Sequence, residues 1–453
     1  MLLHSMILRS ALALLLLASC GRDSQVSPPN VILISLDTLR ADHMGTYGYQ
    51  RSTTPFLDEL AKDALVYDNA RTTWTWTLIA HMSLLTGFYP RQHQVWSSES
   101  ALAPGPWTLA TRLKAAGYET LGAYNTPGWL EPRFGFDRGF DRYEAHTEVT
   151  QALANVDSML GKRDRTKPLF LFLHLFDIHN GRLLDDGPLY NPPQPWADRF
   201  MESAESIARE AGMATPRGKQ VLWSKGSAEL TDRQRAAIQA LYDGGIAHVD
   251  DQLRQLFERL EGTGLLEDSI VIITSDHGEG LGMRWKRFGG HGGTFEEGMR
   301  VPLIIQLPGD DRPRARIGTP VTHVDLVPTI LDLCGLPPDR RLPGYSLIGE
   351  EIPSRVIFGQ HSDRSVSYHG RWKVIKDDGL KNVQVYDLQA DPGEVAQVPD
   401  MKEWQELQDL GLRLRADAVG RQSNWFQPGV GRAEGSADDH DAAMKALGYG
   451  GDR

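Results

Sequence analysis

The sequence predicts an α/β fold in which helices cover a mixed, mostly parallel sheet, with a small antiparallel subdomain after it. Short apolar runs alternate with helical patterns as far as about residue 350, which is the order typical of parallel sheets. These runs are continuously apolar, as expected of strands that are buried on both faces. Polar residues follow directly after three of the runs, at the edge where open α/β sheets bind their ligands.

The strands are assigned from these apolar runs, each of which ends near a polar residue or a turn. Along the chain, strands are predicted at residues 31–36, 119–124, 169–176, 269–274 and 301–307. After about residue 350 the runs become shorter and more polar. We predict short antiparallel strands there, at 371–376 and 383–388, because such strands commonly have one face exposed to water.

The helices are assigned from apolar periodicity and from their first residues. They are predicted at 54–64, 109–116 and 228–260. The first begins at Pro55, since proline suits the first position of a helix. In the longest, apolar residues recur at spacings of three and four and mark one buried face. These residues are Ile246, Val249, Leu253, Leu256 and Leu260.

Composition excludes several classes of protein. The 48 Lys and Arg against 59 Asp and Glu give a formal net charge of −11 over 453 residues. A nucleic-acid partner is therefore not expected. The two cysteines, Cys20 and Cys334, are too few for a disulfide scaffold or a cysteine-rich zinc fold. Cys334 lies in an apolar stretch and is expected to be a small buried residue of the core.

The first residues predict export and a lipid anchor. Arg9 precedes an apolar run at 11–18, which is too short to span a bilayer and typical of a signal peptide. The run ends Leu17-Ala18-Ser19-Cys20, which resembles the lipobox of bacterial lipoproteins; the alternative is an ordinary signal peptide. We therefore expect a leader at 1–20, a tether at 21–29, and a location in the bacterial cell envelope, attached to a membrane through Cys20.

Three groups of polar residues follow strand ends and suggest a metal site. Asp37 follows the first strand, Asp276 and His277 follow a later one, and His174, Asp177 and His179 surround the end of a third. A mixture of carboxylate oxygen and imidazole nitrogen suits Zn²⁺ or Mn²⁺ better than an all-oxygen Ca²⁺ site. Taken alone, the Asp276-His277-Gly278 triplet is more often a turn or a helix cap than a pair of metal ligands.

Eight segments, in order along the chain, resemble the motifs of the sulfatase branch of the alkaline phosphatase superfamily. They are 37–49, 83–90, 135–141, 242–251, 275–279, 296–305, 325–331 and 386–394. The resemblance implies an alkaline-phosphatase-like catalytic domain at 30–350 and a C-terminal antiparallel subdomain with a tail at 351–453. It also implies a divalent metal ion held by Asp37, Asp276 and His277, and basic residues around an anionic ester.

The chain departs from this family at the nucleophile, where sulfatases carry a Cys or Ser that is oxidised to formylglycine. Counting back from the 83–90 motif places Thr77 at that position. Oxidation of threonine would give a ketone, so the formylglycine route is absent. Thr77 is then either the nucleophile itself or a helix N-cap in a site without catalysis. A shift of register to Thr75 is a further alternative.

The other site residues are carried over from the family pattern. His179 and His291 are expected to contact the ester or assist its leaving group. His81 stands in place of the family's arginine and would hold the anion. Arg40 either reaches the substrate or pairs with a neighbouring carboxylate. Thr38 stands where sulfatases have a second aspartate, which moves the expected metal from Ca²⁺, still possible, towards a single Zn²⁺ or Mn²⁺ ion.

The predicted function is hydrolysis of a sulfate, phosphate or phosphonate ester, with Thr77 as the nucleophile. Phosphate and phosphonate esters are favoured because the formylglycine route is missing. The alternatives are a transferase of the phosphoethanolamine type that acts on an envelope acceptor, and a non-catalytic envelope binding protein. The substrate, a small molecule or an anionic glycan or lipid, and the oligomeric state stay open. The long loop at 181–226 is expected to influence specificity.

Overall fold

The computed structural model describes residues 28–125, 128–179, 188–213, 230–282, 291, 293–310, 312–349, 352–362, 364–377, 383–398 and 431–432. The predicted leader with Cys20, most of the tether, much of the 181–226 loop and most of the tail lie outside these residues. Predictions about those segments stay predictions, as do the domain boundaries. Within the described part of the chain, no helix is long and apolar enough to cross a membrane.

The described strands are numbered in chain order. They are β1 (Asn30–Leu36), β2 (Leu65–Tyr67), β3 (Ala70–Arg71), β4 (Ser100–Ala101), β5 (Glu119–Asn125), β6 (Arg142–His146), β7 (Leu169–Leu175), β8 (Ser269–Thr274), β9 (Leu303–Gln306), β10 (Ala315–Ile317), β11 (Val321–Thr322), β12 (Ile357–His361), β13 (Arg364–His369), β14 (Trp372–Asp377), β15 (Val383–Asp387) and β16 (Gly431–Arg432). The main sheet has eight strands in the order β10-β2-β9-β8-β1-β7-β5-β6. Only β9 runs antiparallel to its two neighbours in that sheet, so the predicted mixed, mostly parallel sheet is confirmed.

The described α-helices are numbered in the same way. They are α1 (Pro55–Ala61), α2 (Thr77–Thr86), α3 (Pro90–His93), α4 (Leu109–Ala115), α5 (Val149–Gly161), α6 (Ala204–Ala208), α7 (Asp232–Glu261), α8 (Glu296–Met299) and α9 (Leu326–Leu333). The predicted helices agree with α1, α4 and α7 to within a few residues at each end. The strand predicted at 301–307 is shorter, because Pro302 has no N–H to donate and β9 begins after it.

The core lies on both faces of the main sheet. In the central strand β1, Ile32 and Ile34 pack into the apolar cluster on one face, while Val31 and Leu33 pack into the cluster on the other. Both faces are therefore closed to water, which explains why this strand reads as a continuous apolar run. Cys334 is buried in the second cluster as a free thiol, as predicted.

Helix α2 is buried along its entire length. All ten of its residues are buried, so the helix has no solvent-exposed face and is enclosed by protein on every side. It ends at Gly87, whose φ of 71° lies in the left-handed region that glycine adopts without strain. The enclosure fixes the position of its first residue, Thr77, relative to the sheet.

The C-terminal sheet contains β12 to β15 in sequential antiparallel order, as the sequence predicts for the region after residue 350. A buried ion cluster joins it to the main body. Lys373 on β14 is inaccessible to solvent, and its Nζ lies 3.0 Å from Glu296 Oε1 and 2.7 Å from Glu394 Oε1. Arg71 on β3 also pairs with Glu296, at 2.9 Å. Charged groups of the C-terminal sheet and the main body thus neutralise one another inside the protein.

Replacing Lys373 with methionine is expected to destabilise the protein by about 3 kcal/mol, because removal of one partner leaves buried carboxylates uncompensated. Urea unfolding of the purified protein would measure the loss. Lys376→Met, on the same strand but partly exposed, is the matched control and should change stability by less than about 0.5 kcal/mol. Equal effects of the two substitutions would contradict a special role for the ion cluster.

Candidate active site

Two parallel strands bring the predicted metal ligands together. Strands β1 and β8 are direct neighbours, with Ser35 opposite Thr274, so their carboxyl ends lie at the same edge of the sheet. Asp37 follows β1, and Asp276 and His277 follow β8. All three side chains are buried, and one ligand atom from each lies within 4.8 Å of the others. These three residues are called the Asp–Asp–His cluster below.

The hydrogen bonds of the cluster leave three atoms available to a cation. Asp276 Oδ1 accepts hydrogen bonds from the amides of Thr38 at 3.2 Å and His277 at 2.8 Å. Among the described residues, Asp37 Oδ1 and Asp276 Oδ2 have no hydrogen-bond partner although both are buried. His277 Nδ1 lies 2.9 Å from the Gly278 carbonyl. That contact places the proton on Nδ1 and the lone pair on Nε2, so the donor set fits a divalent ion.

The charges of the cluster also favour a cation. Burial, and after it the Asp276 carboxylate, raises the pKa of Asp37 well above its ordinary value. Burial opposes ionisation of Asp276 too, but His277 and then His81 and His174 lower its pKa to about 2. Two enclosed carboxylates so close together repel each other when both are ionised. A bound divalent ion would remove that repulsion.

Thr77 is the first residue of α2 and faces the cluster. Its Oγ1 lies 3.4 Å from Asp37 Oδ2 and 3.4 Å from His277 Nε2. The N-cap of the helix is Trp76, and no side chain caps the helix. The interpretation of Thr77 as an N-cap is therefore wrong. The hydroxyl lies at the positive end of the helix, where negative charge is stabilised.

In the alternative register, the candidate residue Thr75 is bonded to the C-terminal sheet and not to the Asp–Asp–His cluster. Thr75 Oγ1 lies 2.6 Å from His361 Nδ1, at the end of strand β12. It therefore bonds to the C-terminal sheet, whereas the hydroxyl that contacts the Asp–Asp–His cluster is that of Thr77. The structure favours Thr77 for the position next to the proposed metal.

His81 lies in a buried layer with its two ring nitrogens in contact with protein atoms. Nδ1 is 2.9 Å from the Thr77 carbonyl oxygen, and Nε2 is 2.8 Å from Ser35 Oγ. The ring packs against that of His174, with 4.6 Å between centroids. Burial, and then His174, lowers the pKa of His81 to about 3. That His81 holds the anion stays a prediction; in the structure both of its ring nitrogens contact protein atoms.

His174, at the end of strand β7, is in direct contact with the cluster. Its Nε2 lies 3.3 Å from Asp37 Oδ2. Burial lowers the pKa of His174 to about 4, so the ring is neutral at ordinary pH. Together with His81 it forms a neutral layer that supports the cluster carboxylates.

His291 lies next to His277 of the cluster, and His179 lies next to His291. The ring of His291 is 4.5 Å from that of His277 and 5.4 Å from that of His179. The amide of His291 donates a 3.1 Å hydrogen bond to Glu279 Oε1, and His179 stacks on Phe176 at 4.2 Å. Burial, and then His277, lowers the pKa of His291 well below its ordinary value. That both rings contact the ester stays a prediction.

Arg40 pairs with carboxylates of the protein. Its guanidinium donates hydrogen bonds of 2.9 and 2.7 Å to the two oxygens of Asp42. A further nitrogen donates to the Glu279 carbonyl at 3.0 Å and lies 3.5 Å from Glu297 Oε2. With its side chain buried and its donors engaged, Arg40 supports the loop after His277. Of the two alternatives, the structure shows the pairing with Asp42; that Arg40 also binds substrate stays a prediction.

Three features of the site are missed by sequence reasoning. Thr38 has a φ of 57°, which is unusual for a β-branched residue, and its carbonyl accepts a 2.8 Å hydrogen bond from Tyr242. Glu279 is buried two residues after His277; its place in the 275–279 motif was a signal for it. His361 comes from the distant C-terminal sheet, and no local pattern in the sequence indicates it.

Several acidic residues outside the cluster have structural contacts. Asp250 accepts hydrogen bonds from two amides in the first turn of α1. Asp325 binds the guanidinium of Arg355. Asp177 accepts a 2.9 Å hydrogen bond from Val149, the first residue of α5. These three carboxylates therefore organise helix ends and loops.

The comparisons with known proteins agree on one family. The family model described as Sulfatase matches residues 29–336. An arylsulfatase of Clostridium perfringens is 26% identical, with 88% of this chain and 96% of that protein covered. The multifunctional alkaline phosphatase superfamily protein PehA of Trinickia caryophylli is 25% identical, with 81% and 90% covered.

Among solved structures, the phosphonate monoester hydrolase of Agrobacterium radiobacter has a similar fold. The TM-score is 0.68 at 24% sequence identity, and the similarity covers 88% of this chain and 96% of that one. The family match spans the strands that carry Asp37 and Asp276, and the fold similarity extends over most of the chain. This chain belongs to the sulfatase family and is an ester hydrolase of that family.

Proposed function

We propose that this protein is a metal-dependent hydrolase of anionic esters, in which Thr77 is the nucleophile in place of formylglycine. One observation carries the proposal. Thr77 Oγ1 lies 3.4 Å from both Asp37 Oδ2 and His277 Nε2, at the first residue of α2. A hydroxyl at a helix N-terminus and beside potential metal ligands is well placed for nucleophilic attack.

The proposed reaction has two steps. Thr77 Oγ1 forms a bond to the phosphorus or sulfur atom of the ester, and the bond from that atom to the leaving oxygen breaks. The proton lost by Thr77 is balanced by the one gained on the leaving oxygen. Water then cleaves the covalent intermediate and regenerates the hydroxyl. His179 and His291 are the proposed contacts of the ester, and their ring N–H groups would act as hydrogen-bond donors.

The proposed cofactor is one divalent ion held by the Asp–Asp–His cluster. Bound there, it would supply Lewis acidity to the ester and to the Thr77 hydroxyl. An imidazole ligand favours Zn²⁺ or Mn²⁺ over Ca²⁺. Thr38 stands at the position of the family's second aspartate and contributes no carboxylate. The lower negative charge of the site also favours Zn²⁺ or Mn²⁺ over Ca²⁺.

Phosphate and phosphonate esters are proposed ahead of sulfate esters. The hydrated aldehyde of formylglycine is the sulfatase nucleophile, and Thr77 cannot give it because its Cβ carries a methyl group. A threonine oxygen instead resembles the nucleophiles of phosphoester-cleaving relatives in the superfamily. The 25% identical relative named for the alkaline phosphatase superfamily supports this breadth of chemistry.

A screen of substrates and metals tests the proposal. An aryl phosphate monoester, an aryl phosphodiester, an aryl phosphonate monoester and an aryl sulfate would each be tried with Zn²⁺, Mn²⁺, Ca²⁺ and a chelator. We expect turnover of at least one phosphorus ester with Zn²⁺ or Mn²⁺, and its loss with the chelator. Turnover of the aryl sulfate alone would contradict the proposed preference.

Two alternatives remain as outcomes of that screen. A transferase would require an envelope acceptor, such as a hydroxylated glycan or lipid, and would transfer the group faster than water accepts it. A non-catalytic binding protein would turn over no ester and would bind no stoichiometric metal. The proposed location, anchored to an envelope membrane through Cys20, is tested by fractionating cells that produce the wild type or Cys20→Ser.

A further inference from the structure

The first strand of the C-terminal sheet is bonded to the segment that leads into Thr77. The amide of Gln360 on β12 donates a 2.9 Å hydrogen bond to the Thr73 carbonyl, and Gln360 forms a parallel bridge with Trp74. At the next residue, His361 Nδ1 lies 2.6 Å from Thr75 Oγ1. Residues 360 and 361 of β12 therefore contact residues 73 to 75 of the main body in succession. The last of these contacts lies two residues before Thr77.

The junction is tightly packed, which limits how far β12 can move. A Cβ at Gly359 would lie 2.2 Å from Met299 Cε and 3.2 Å from the Thr72 carbonyl oxygen, so a larger residue would require the Met299 side chain to shift. The amide of Thr72 in turn donates a 2.9 Å hydrogen bond to the carbonyl of Met299, the last residue of α8. Strand β12, the segment at 72–75 and α8 thus form one packed unit.

The hydrogen bond to His361 lies close to the start of helix α2. It is made by Thr75, and only Trp76, the N-cap of α2, separates that residue from Thr77. After burial, His277 and His179, the charge of His361 is a further cause of the lowered pKa of His291, so His361 is also near the histidines of the site.

We propose that His361 is a positioning residue for Thr77, which it holds in place through its hydrogen bond to Thr75. The inference rests on the proposed role of Thr77 and adds a contribution of the C-terminal sheet to the site. A hydrogen bond of this kind fixes the start of α2 relative to the Asp–Asp–His cluster. Small displacements of a nucleophile reduce turnover far more than they reduce ground-state binding.

The test compares replacements of His361 that keep or lose the Nδ1 contact. In His361→Asn, the side-chain amide places a polar atom close to the position of histidine Nδ1. The hydrogen bond to Thr75 can therefore be kept. His361→Ala cannot. On the ester identified by the substrate screen, we expect His361→Ala to lower kcat by about tenfold or more with KM changed by less than about twofold. His361→Asn should restore most of kcat.

Two further variants separate positioning from general damage. Thr75→Val removes the same hydrogen bond from its other end, so the double variant with His361→Ala should be no worse than either single one. His369→Ala is the control. His361 pairs with Arg364 at one end of β13, and His369 lies at the other end of that strand, so His369→Ala should leave kcat unchanged. Wild-type kcat in His361→Ala, additive losses in the double variant, or an Asn variant as slow as the Ala variant would each overturn the proposal.

A second measurement does not depend on turnover. Hydrogen exchange of the peptide that covers residues 72–78, followed by mass spectrometry, reports how firmly this segment is held. Exchange should be faster in His361→Ala and Thr75→Val, and unchanged in His361→Asn and His369→Ala. If the wild type turns over no ester, the proposed function fails while this comparison still tests the contact. Equal exchange in all five proteins would overturn the inference.

Discussion

Replacing Thr77 with alanine is expected to lower kcat by about 10⁴-fold or more while leaving the metal content unchanged. Loss of a nucleophile in covalent catalysis has effects of this size. Thr77 Oγ1 is the atom next to Asp37 and His277, and the described residues offer no second hydroxyl in that position. The measurement is the single-turnover rate on the best phosphorus ester, with metal content determined on the same sample.

The fold should tolerate this substitution. Thr77 is the first helical residue, and its side chain caps no helix. The three ligand atoms of the cluster belong to other residues. Alanine is also the best helix former. A loss of activity in Thr77→Ala can therefore be assigned to the missing oxygen, provided that the melting temperature stays within a few degrees of the wild-type value.

Two controls bracket the result. Thr77→Ser keeps the hydroxyl and should retain measurable turnover. Thr86→Ala removes a threonine at the far end of the same buried helix. It should leave kcat within about threefold, since the Thr86 hydroxyl donates to the Met82 carbonyl and accepts from the Phe88 amide, neither of which belongs to the cluster. Turnover by Thr77→Ala at the wild-type rate would show that another group is the nucleophile and would remove the central residue of the proposed mechanism.

The sequence predicts the sheet and the position of the cluster for the same physical reason. Parallel strands buried on both faces must be continuously apolar, so β1 and β8 are recognisable, and their ends are marked by Asp37 and Asp276. Neighbouring parallel strands end at the same edge of the sheet. Knowledge of the strand ends is therefore enough to expect these carboxylates close together, before any side-chain geometry is known.

The sequence does not predict side-chain orientation or partners from distant elements. His81 and Thr77 share a face of α2, but the ring of His81 bonds to Ser35 below the cluster. Arg40 is satisfied by Asp42, two residues away, which competes with any substrate anion. His361 is joined to Thr75 across 286 positions of the chain. The partner that each side chain binds depends on which other groups lie within reach in the folded protein. The periodicity of the sequence carries no information about those groups.

The second large effect is expected at Asp276. Replacing it with asparagine should reduce bound Zn²⁺ or Mn²⁺ from about one ion per chain to near zero and lower turnover by about 10³-fold or more, since the Lewis acid is lost. Asparagine has the same shape but removes one of the two carboxylate charges of the cluster. Metal analysis after dialysis against a defined concentration of free ion is the measurement.

Asp177→Asn is the matched control for this experiment. Asp177 is also a largely buried carboxylate just after a neighbouring strand, β7, and burial raises its pKa to about 6. Its Oδ1 accepts a hydrogen bond from the amide of Val149, which the oxygen of asparagine can preserve. It is not one of the clustered ligands, so the metal content of Asp177→Asn should equal that of the wild type. Equal metal binding by Asp276→Asn would contradict the proposed site.

Thermal unfolding provides a second test, because the order of the wild-type and Asp276→Asn melting temperatures should reverse between metal and chelator. With the ion at about 100 times its dissociation constant, the wild type should gain about 2.7 kcal/mol from binding, and Asp276→Asn should gain almost nothing. Without the ion, the wild type keeps two buried carboxylates, and burial followed by the charge of Asp276 raises the pKa of Asp37, whereas Asp276→Asn keeps only one carboxylate. The variant should therefore melt at the same or a higher temperature than the wild type in chelator, and at a lower temperature in metal. A merely structural role for Asp276 predicts destabilisation in both conditions, so the reversal of order is the result that identifies a metal ligand.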